Sequence, residues 1–117
     1  MPLDPNAVPG LLRALDHEDV YVRIVAAEGL GKIGNPVAIQ RLHETLVDAR
    51  PAVRRRVVEA LHRIGVEPRA NAAAKVVPAL RQALDDDDAL VCWRAEHALR
   101  HLNVSSAWAA LAEWKAS

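Results

Sequence analysis

The chain has 117 residues, 15 basic against 15 acidic side chains and one cysteine. This neutral balance supplies no general attraction to nucleic acid or anionic membrane, and Cys92 alone excludes an internal disulfide or a multi-cysteine metal cluster. No apolar run approaches the roughly 20 residues of a membrane span, and Met-Pro-Leu-Asp-Pro at the N-terminus lacks the basic and apolar regions of a signal peptide, so a cytoplasmic location is expected. The apolar half of the chain is Ala, Leu and Val, with no Phe and one Tyr, a composition that favours helices.

Aligning the chain on itself yields three copies of a unit of about 31 residues. The windows are Val8–Gly34, Ile39–Gly65 and Val77–Asn103, with apolar columns Leu11/Leu42/Leu80, Leu15/Leu46/Leu84, Val22/Val53/Val91, Leu30/Leu61/Leu99 and Ile33/Ile64/Leu102. In each copy a helix A carries apolar residues at i, i+3, i+4 and i+7, as in Val8, Leu11, Leu12 and Leu15. A polar tetrapeptide then ends it: His17–Val20, Asp48–Pro51 or Asp86–Ala89. Asp19 and Asp88 suit the N-cap of a following helix B, and Pro51 suits its first turn. Helix B places Val22, Val25, Ala26, Gly29, Leu30 and Ile33 on one side. Gly34, Gly65 and Asn103 tolerate a left-handed backbone and are expected to stop it, with Pro36 and Pro68 beyond.

Before the third copy, residues 66–75 are longer than the preceding spacer and read as a loop followed by an extra turn on the third helix A. Beyond Asn103 the pattern breaks, and Ser105-Ser106 can cap a short helix bearing Trp108, Leu111 and Trp114. Repeat arrays need end elements that cover apolar surface. The expected organisation is one all-α domain: repeat 1 over about 5–35, repeat 2 over about 36–66, repeat 3 over about 70–103 and a C-terminal cap over about 105–116. If Trp108, Leu111 and Trp114 did not fold back on repeat 3, they would form a face for homo-oligomerisation.

LDHEDVYVR followed by IVAAEGLGKIG in repeat 1 resembles HEAT-like repeats of the phycobilisome-lyase type. Repeat 2 keeps Val53-Arg54 and EALHRIG, while repeat 3 keeps the apolar skeleton and has Cys92 where the family has Arg. The resemblance covers about Ala7 to Asn103 and implies a short right-handed α-solenoid whose B helices line the concave face. Its members include bilin-attachment proteins, an iron hydroxylase, DNA-repair proteins and scaffolds, so it speaks to fold before function.

With Val22, Ala26, Gly29 and Ile33 setting the buried direction, a turn of 100° per residue points Ile24, Ala27, Glu28 and Gly31 outward. The matching rows are Arg55, Val58, Glu59 and His62, then Trp93, Glu96, His97 and Arg100. These form the expected groove floor. Its partner-binding residues are Ile24, Glu28, Arg55, Glu59, His62, Trp93, Glu96, His97 and Arg100. Trp93 stands out, since a large exposed aromatic suits a binding anchor unless the insertion or cap covers it. Residues 37–68 hold six basic against four acidic side chains. Arg54, Arg55 and Arg56 radiate around roughly 200° of the helix and cannot make one flat anion site. Arg54 is expected to bond loop acids of a neighbouring repeat, with the others solvated.

Catalytic and metal sites are not expected. Asp85–Asp88 lacks the alternating oxygen spacing of a calcium loop and coincides with the A–B turn. The hydroxylase-type His-Glu columns correspond to Ala27-Glu28, Val58-Glu59 and Glu96-His97; only the last holds both residue types, in reversed order. Cys92 lies beside the core valine column and reads as an inert buried thiol, neither a glycine-rich phosphate loop nor a His-x-x-x-His zinc pair is expected, and Ser occurs only near the C-terminus. The leading expectation is therefore a non-enzymatic protein-interaction scaffold without cofactor. The alternatives are a bilin-lyase or chromophore-chaperone accessory, motivated by the resemblance, and nucleic-acid binding through repeat 2, which the neutral charge disfavours.

Overall fold

The computed structural model describes residues 4–117; Met1, Pro2 and Leu3, part of the N-terminus read above, lie outside the described residues. The described residues form seven α-helices and no strand. Helices α1 (Val8–Ala14), α3 (Ile39–Thr45) and α5 (Val77–Ala83) are the short A helices, and α2 (Val20–Ile33), α4 (Pro51–Val66) and α6 (Ala89–Leu102) the longer B helices. Helix α7 (Ser105–Ala116) follows. The chain is a short helical solenoid.

Local chemistry sets the helix ends. Asp19 and Asp88 accept from the backbone N–H of Tyr21 and Val91, capping α2 and α6, and Pro51 occupies the first turn of α4. Gly34 and Asn103 adopt the left-handed conformation that ends α2 and α6, at φ of 76° and 51°. Gly65 behaves differently from expectation: α4 runs through it to Val66. A Cβ there would meet Leu102 Cδ2 at 2.7 Å and Val76 Cγ2 at 2.8 Å, so packing of repeat 3, rather than a turn, requires glycine. The insertion forms two turns. The second, in which Val76 N–H donates to the Ala72 carbonyl, leads into α5 without lengthening it as regular helix.

The B helices pack directly on one another, α2 on α4 and α4 on α6, and each A helix packs chiefly on its own B helix. Each B helix therefore buries two faces. Leu30, Leu61, Leu99 and Ala27 are buried in the core, and Gly31 and Ala60 meet where α2 packs on α4. Helix α7 folds back on α5 and α6, burying Ala107 and Leu111, with Trp114 packed partly against the core. Its N-cap is Val104, without a side-chain cap from the serines. The condition for a Trp108–Leu111–Trp114 oligomer face is thus unmet: only Trp108 stands out, its indole N–H donating to Asn103 Oδ1 at 3.0 Å.

A polar ladder joins the repeats. Arg23 Nε donates to Asp48 Oδ2 at 2.7 Å, and one repeat on, Arg54 Nε and Nη2 straddle Asp86 at 2.9 and 3.1 Å. Each arginine also binds its own A–B loop, Arg23 through the His17 and Glu18 carbonyls and Arg54 through the Asp48 carbonyl. Asp48 and Asp86 complete the joint by accepting backbone N–H groups two residues on. His17, in the equivalent position of repeat 1, does the same through Nδ1.

Candidate functional site: the exposed face of the B helices

Because the B helices bury two faces, their exposed strip is narrow and turned from the expected one by nearly one residue's rotation. Ala27, Val58 and Gly31 are buried in the interfaces, which corrects their assignment to the groove floor. Val25, expected in the core, is 51% exposed. The solvent-facing columns are Val25/Arg56/Arg94, Glu28/Glu59/His97 and Lys32/Arg63/His101, with Glu28, Arg56, Glu59 and Arg94 partly buried and the rest exposed, and with Tyr21 and Leu90 at the loop end.

The nine expected groove residues divide accordingly. Glu28, Glu59 and His97 lie on the central column, and Trp93, 58% exposed, flanks it. Neither the insertion nor the cap covers Trp93; its indole stacks on the His97 ring, with centroids 5.3 Å apart and planes 7° from parallel. His62 is half-buried, and Ile24 packs partly against the core. Glu96 and Arg100 pair with each other one helical turn apart at 2.9 Å. Arg55 is no free groove cation. Its Nε and Nη2 donate to the two carboxylate oxygens of Asp88 at 2.9 and 2.8 Å, tying α4 to the N-cap of α6.

Four cations on this face were not among the expected groove residues. Arg56, Arg63 and Arg94 converge on Glu59 at 3.1, 3.5 and 3.1 Å, and Arg56 also reaches Glu28 at 3.1 Å. Lys32 continues the row. The spacing Arg56-x-x-Glu59-x-x-x-Arg63 is legible as a helical pairing pattern. Arg94 arrives from another helix and has no such signal. Two open clefts share Arg56 and Glu59: one of about 200 Å³ against Gly31, Lys32 and Arg63, the other of about 300 Å³ against His62, Trp93, Arg94 and His97.

The expectation of no His-x-x-x-His pair is corrected: His97-Ala-Leu-Arg-His101 sets two imidazoles four residues apart on α6, so His101 was legible as well. His62 Nε2 lies 2.7 Å from His101 Nδ1, a bond that requires one ring nitrogen to donate and the other to accept. Burial, then the neighbouring His101 and His97, hold His62 below the usual imidazole value. No set of three or more His, Cys, Asp or Glu side chains among the described residues is placed to hold a metal ion.

At the loop end, Asp86 raises the Arg54 guanidinium above its ordinary value through their hydrogen bond, and Arg55 draws the Asp88 carboxyl down to about 2. Cys92, expected buried, is only partly so; what burial it has raises the thiol, with Glu96 adding to it, which keeps the sulfur protonated. Among the described residues, no helix is long and apolar enough to cross a membrane.

The family model described as HEAT repeats matches residues 8–100, and the chain belongs to that family. HEAT repeats generally serve as protein-interaction scaffolds. A search of curated proteins gives no match.

Proposed function

We propose that the protein is a non-enzymatic interaction module that holds a segment of a partner protein across its B helices. A stack whose B helices touch, while its A helices stand further apart, curves toward its B side and makes an extended concave surface there. The observation that carries the reading is the exposed apolar material on this side: Tyr21 at 72%, Val25 and Trp93, with Leu90 beside them. Exposed aromatic side chains flanked by polar groups are the usual anchors of protein interfaces. Trp93, stiffened by its stack on His97, loses little further freedom on binding.

The likeness of repeat 1 to phycobilisome-lyase-type repeats motivates a bilin-handling alternative. The two clefts favour the protein partner instead, being open and crossed by the Arg56–Glu59 pair, so neither is the enclosed apolar pocket that buries a small ligand.

Selection from a displayed random-peptide library tests the proposal. Peptides enriched on the wild-type chain should lose at least about tenfold in affinity for Trp93→Ala, a loss of roughly 1.4 kcal/mol or more. Enriched peptides that bind Trp93→Ala undiminished would place the binding surface elsewhere.

A further inference from the structure

The B-helix face carries more positive charge than the neutral chain that builds it. Away from this face the repeat-joining arginines are matched: Arg23 with Asp48, Arg54 with Asp86 and Asp87, and Arg55 with Asp88. On the face, Arg56, Arg63 and Arg94 share Glu59, with Glu28 the only further carboxylate in the row. Lys32 forms no ion pair among the described residues.

Each guanidinium has five N–H donors, whereas a carboxylate accepts at about four lone-pair positions. Three guanidiniums around Glu59 therefore retain unused donors. Their side chains are 42%, 50% and 31% exposed, so those donors are open to an incoming ligand. Apolar groups stand at both ends of the cluster, Tyr21 and Val25 on α2 and Leu90 and Trp93 on α6.

We propose that the groove's occupant is an acidic, amphipathic segment of a partner protein. Its carboxylates meet Arg56, Arg63 and Arg94, and its apolar side chains meet Trp93 on one side or Tyr21 and Val25 on the other. The inference rests on the reading of this face as an interaction surface and adds the chemistry of the partner. Charge complementarity selects that chemistry. A nucleic acid fits less well, because Glu28 and Glu59 occupy the middle of the row that a phosphate backbone would follow, and the net charge is zero.

Fluorescence anisotropy of the full chain tests this with three labelled probes: a peptide of Glu-Glu-Leu repeats, its Lys-Lys-Leu counterpart and an oligo-deoxythymidine. The glutamate peptide should bind, more weakly as salt rises, and in preference to the other two. Arg63→Gln combined with Arg94→Gln should weaken it about tenfold or more. Glu59→Gln should tighten it several-fold, a gain that misfolding cannot produce. Equal binding of the glutamate peptide by the wild type and the double variant, or preference for the lysine peptide or the oligonucleotide, would overturn the proposal. So would failure of the glutamate peptide to bind. Library peptides that depend on Trp93 but are not acidic would sink this inference and leave the interaction reading intact; no Trp93-dependent peptide of any kind would remove both.

Discussion

Replacing Arg54 with alanine removes the most deeply embedded charge in the solenoid. Arg54 is 9% exposed, and its guanidinium straddles both oxygens of Asp86, touches Asp87 at 3.3 Å and donates to the Asp48 carbonyl at 2.7 Å. Arg54→Ala would leave the Asp86 carboxylate, whose side chain is 11% exposed, without its counter-charge. Breaking a buried pair from one side costs about 3–5 kcal/mol. Asp86 borders an open cleft through which water can reach it and keeps its bond from Asp88 N–H, which favours the low end, about 3 kcal/mol. At this chain length that lowers the melting temperature by roughly 10–15 °C. Urea unfolding followed by far-UV circular dichroism measures the change, with Arg81→Ala as the reference. Arg81 pairs with the exposed Asp85 just past the end of its helix and reaches the exposed Glu113 of α7 at 4.0 Å, and the loss of these surface pairs should cost less than about 1 kcal/mol. Adding Asp86→Asn to Arg54→Ala should cost less than the sum of the two single changes, because the pair acts as a unit. A loss for Arg54→Ala no larger than that for Arg81→Ala would refute the claim that this ladder holds repeats 2 and 3 together.

Gly31→Ala and Gly29→Ala should move stability in opposite directions, although alanine gains about 1 kcal/mol of helix propensity at either site. At position 31 the new Cβ would lie 2.8 Å from the Ala60 backbone, so overpacking of about 1–3 kcal/mol outweighs the gain; at position 29 it meets Leu11 Cδ1, the movable end of a side chain, at 3.1 Å. Urea midpoints decide, and equal values would contradict the close α2–α4 contact. Acid should destabilise the fold in two separate windows. His62 has a lowered folded value, so its contribution is complete above 6.5 and is lost as pH falls below it, because the unfolded chain takes up a proton that burial, His101, His97 and Arg63 resist against the opposing pull of Glu59. The contribution of Asp88 is complete above 3.8 and is lost toward about 2, as protonation releases Arg55. Melting curves of wild type and His62→Gln should differ in slope in the first window, and identical slopes would show that the cluster does not resist protonation.

The amino-acid pattern was sufficient for the repeat and its punctuation, because those features are local. Asp19, Asp88 and Pro51 act within one turn of where they stand, and Gly34 and Asn103 end helices through their own backbone angles. The candidate face was less legible, since a single helix shows one apolar stripe but not a second face buried against its neighbours. Ala27 and Gly31 read as outward because nothing in α2 alone announces that α4 packs on it, with Ala60 against Gly31. Val25 read as core by period, yet Arg56 and Arg94 occupy its column in the later repeats, and that comparison does point to solvent. Gly65 misled for a related reason: glycine after an apolar run signals a cap, but here it makes room for Leu102 and Val76.

The three consecutive arginines of α4 show how one helix joins the stack and still presents charge on the candidate face. Successive side chains diverge by about 100°, so Arg54, Arg55 and Arg56 reach three different places. Arg54 meets Asp86 and Asp87, Arg55 meets Asp88, and Arg56 turns to Glu28 and Glu59. The basic run of repeat 2 and the acidic run of repeat 3 are thus largely one interface, rather than an anion patch beside a cation loop. Only the third arginine is left to the groove, where Arg63 and Arg94 join it on a single carboxylate. Repeat 2 has a B helix on either side, so its exposed residues can be reached from both α2 and α6. That position places Glu59 where side chains from neighbouring helices converge, so if the face takes the proposed acidic segment, charge selectivity is set in the middle of the stack.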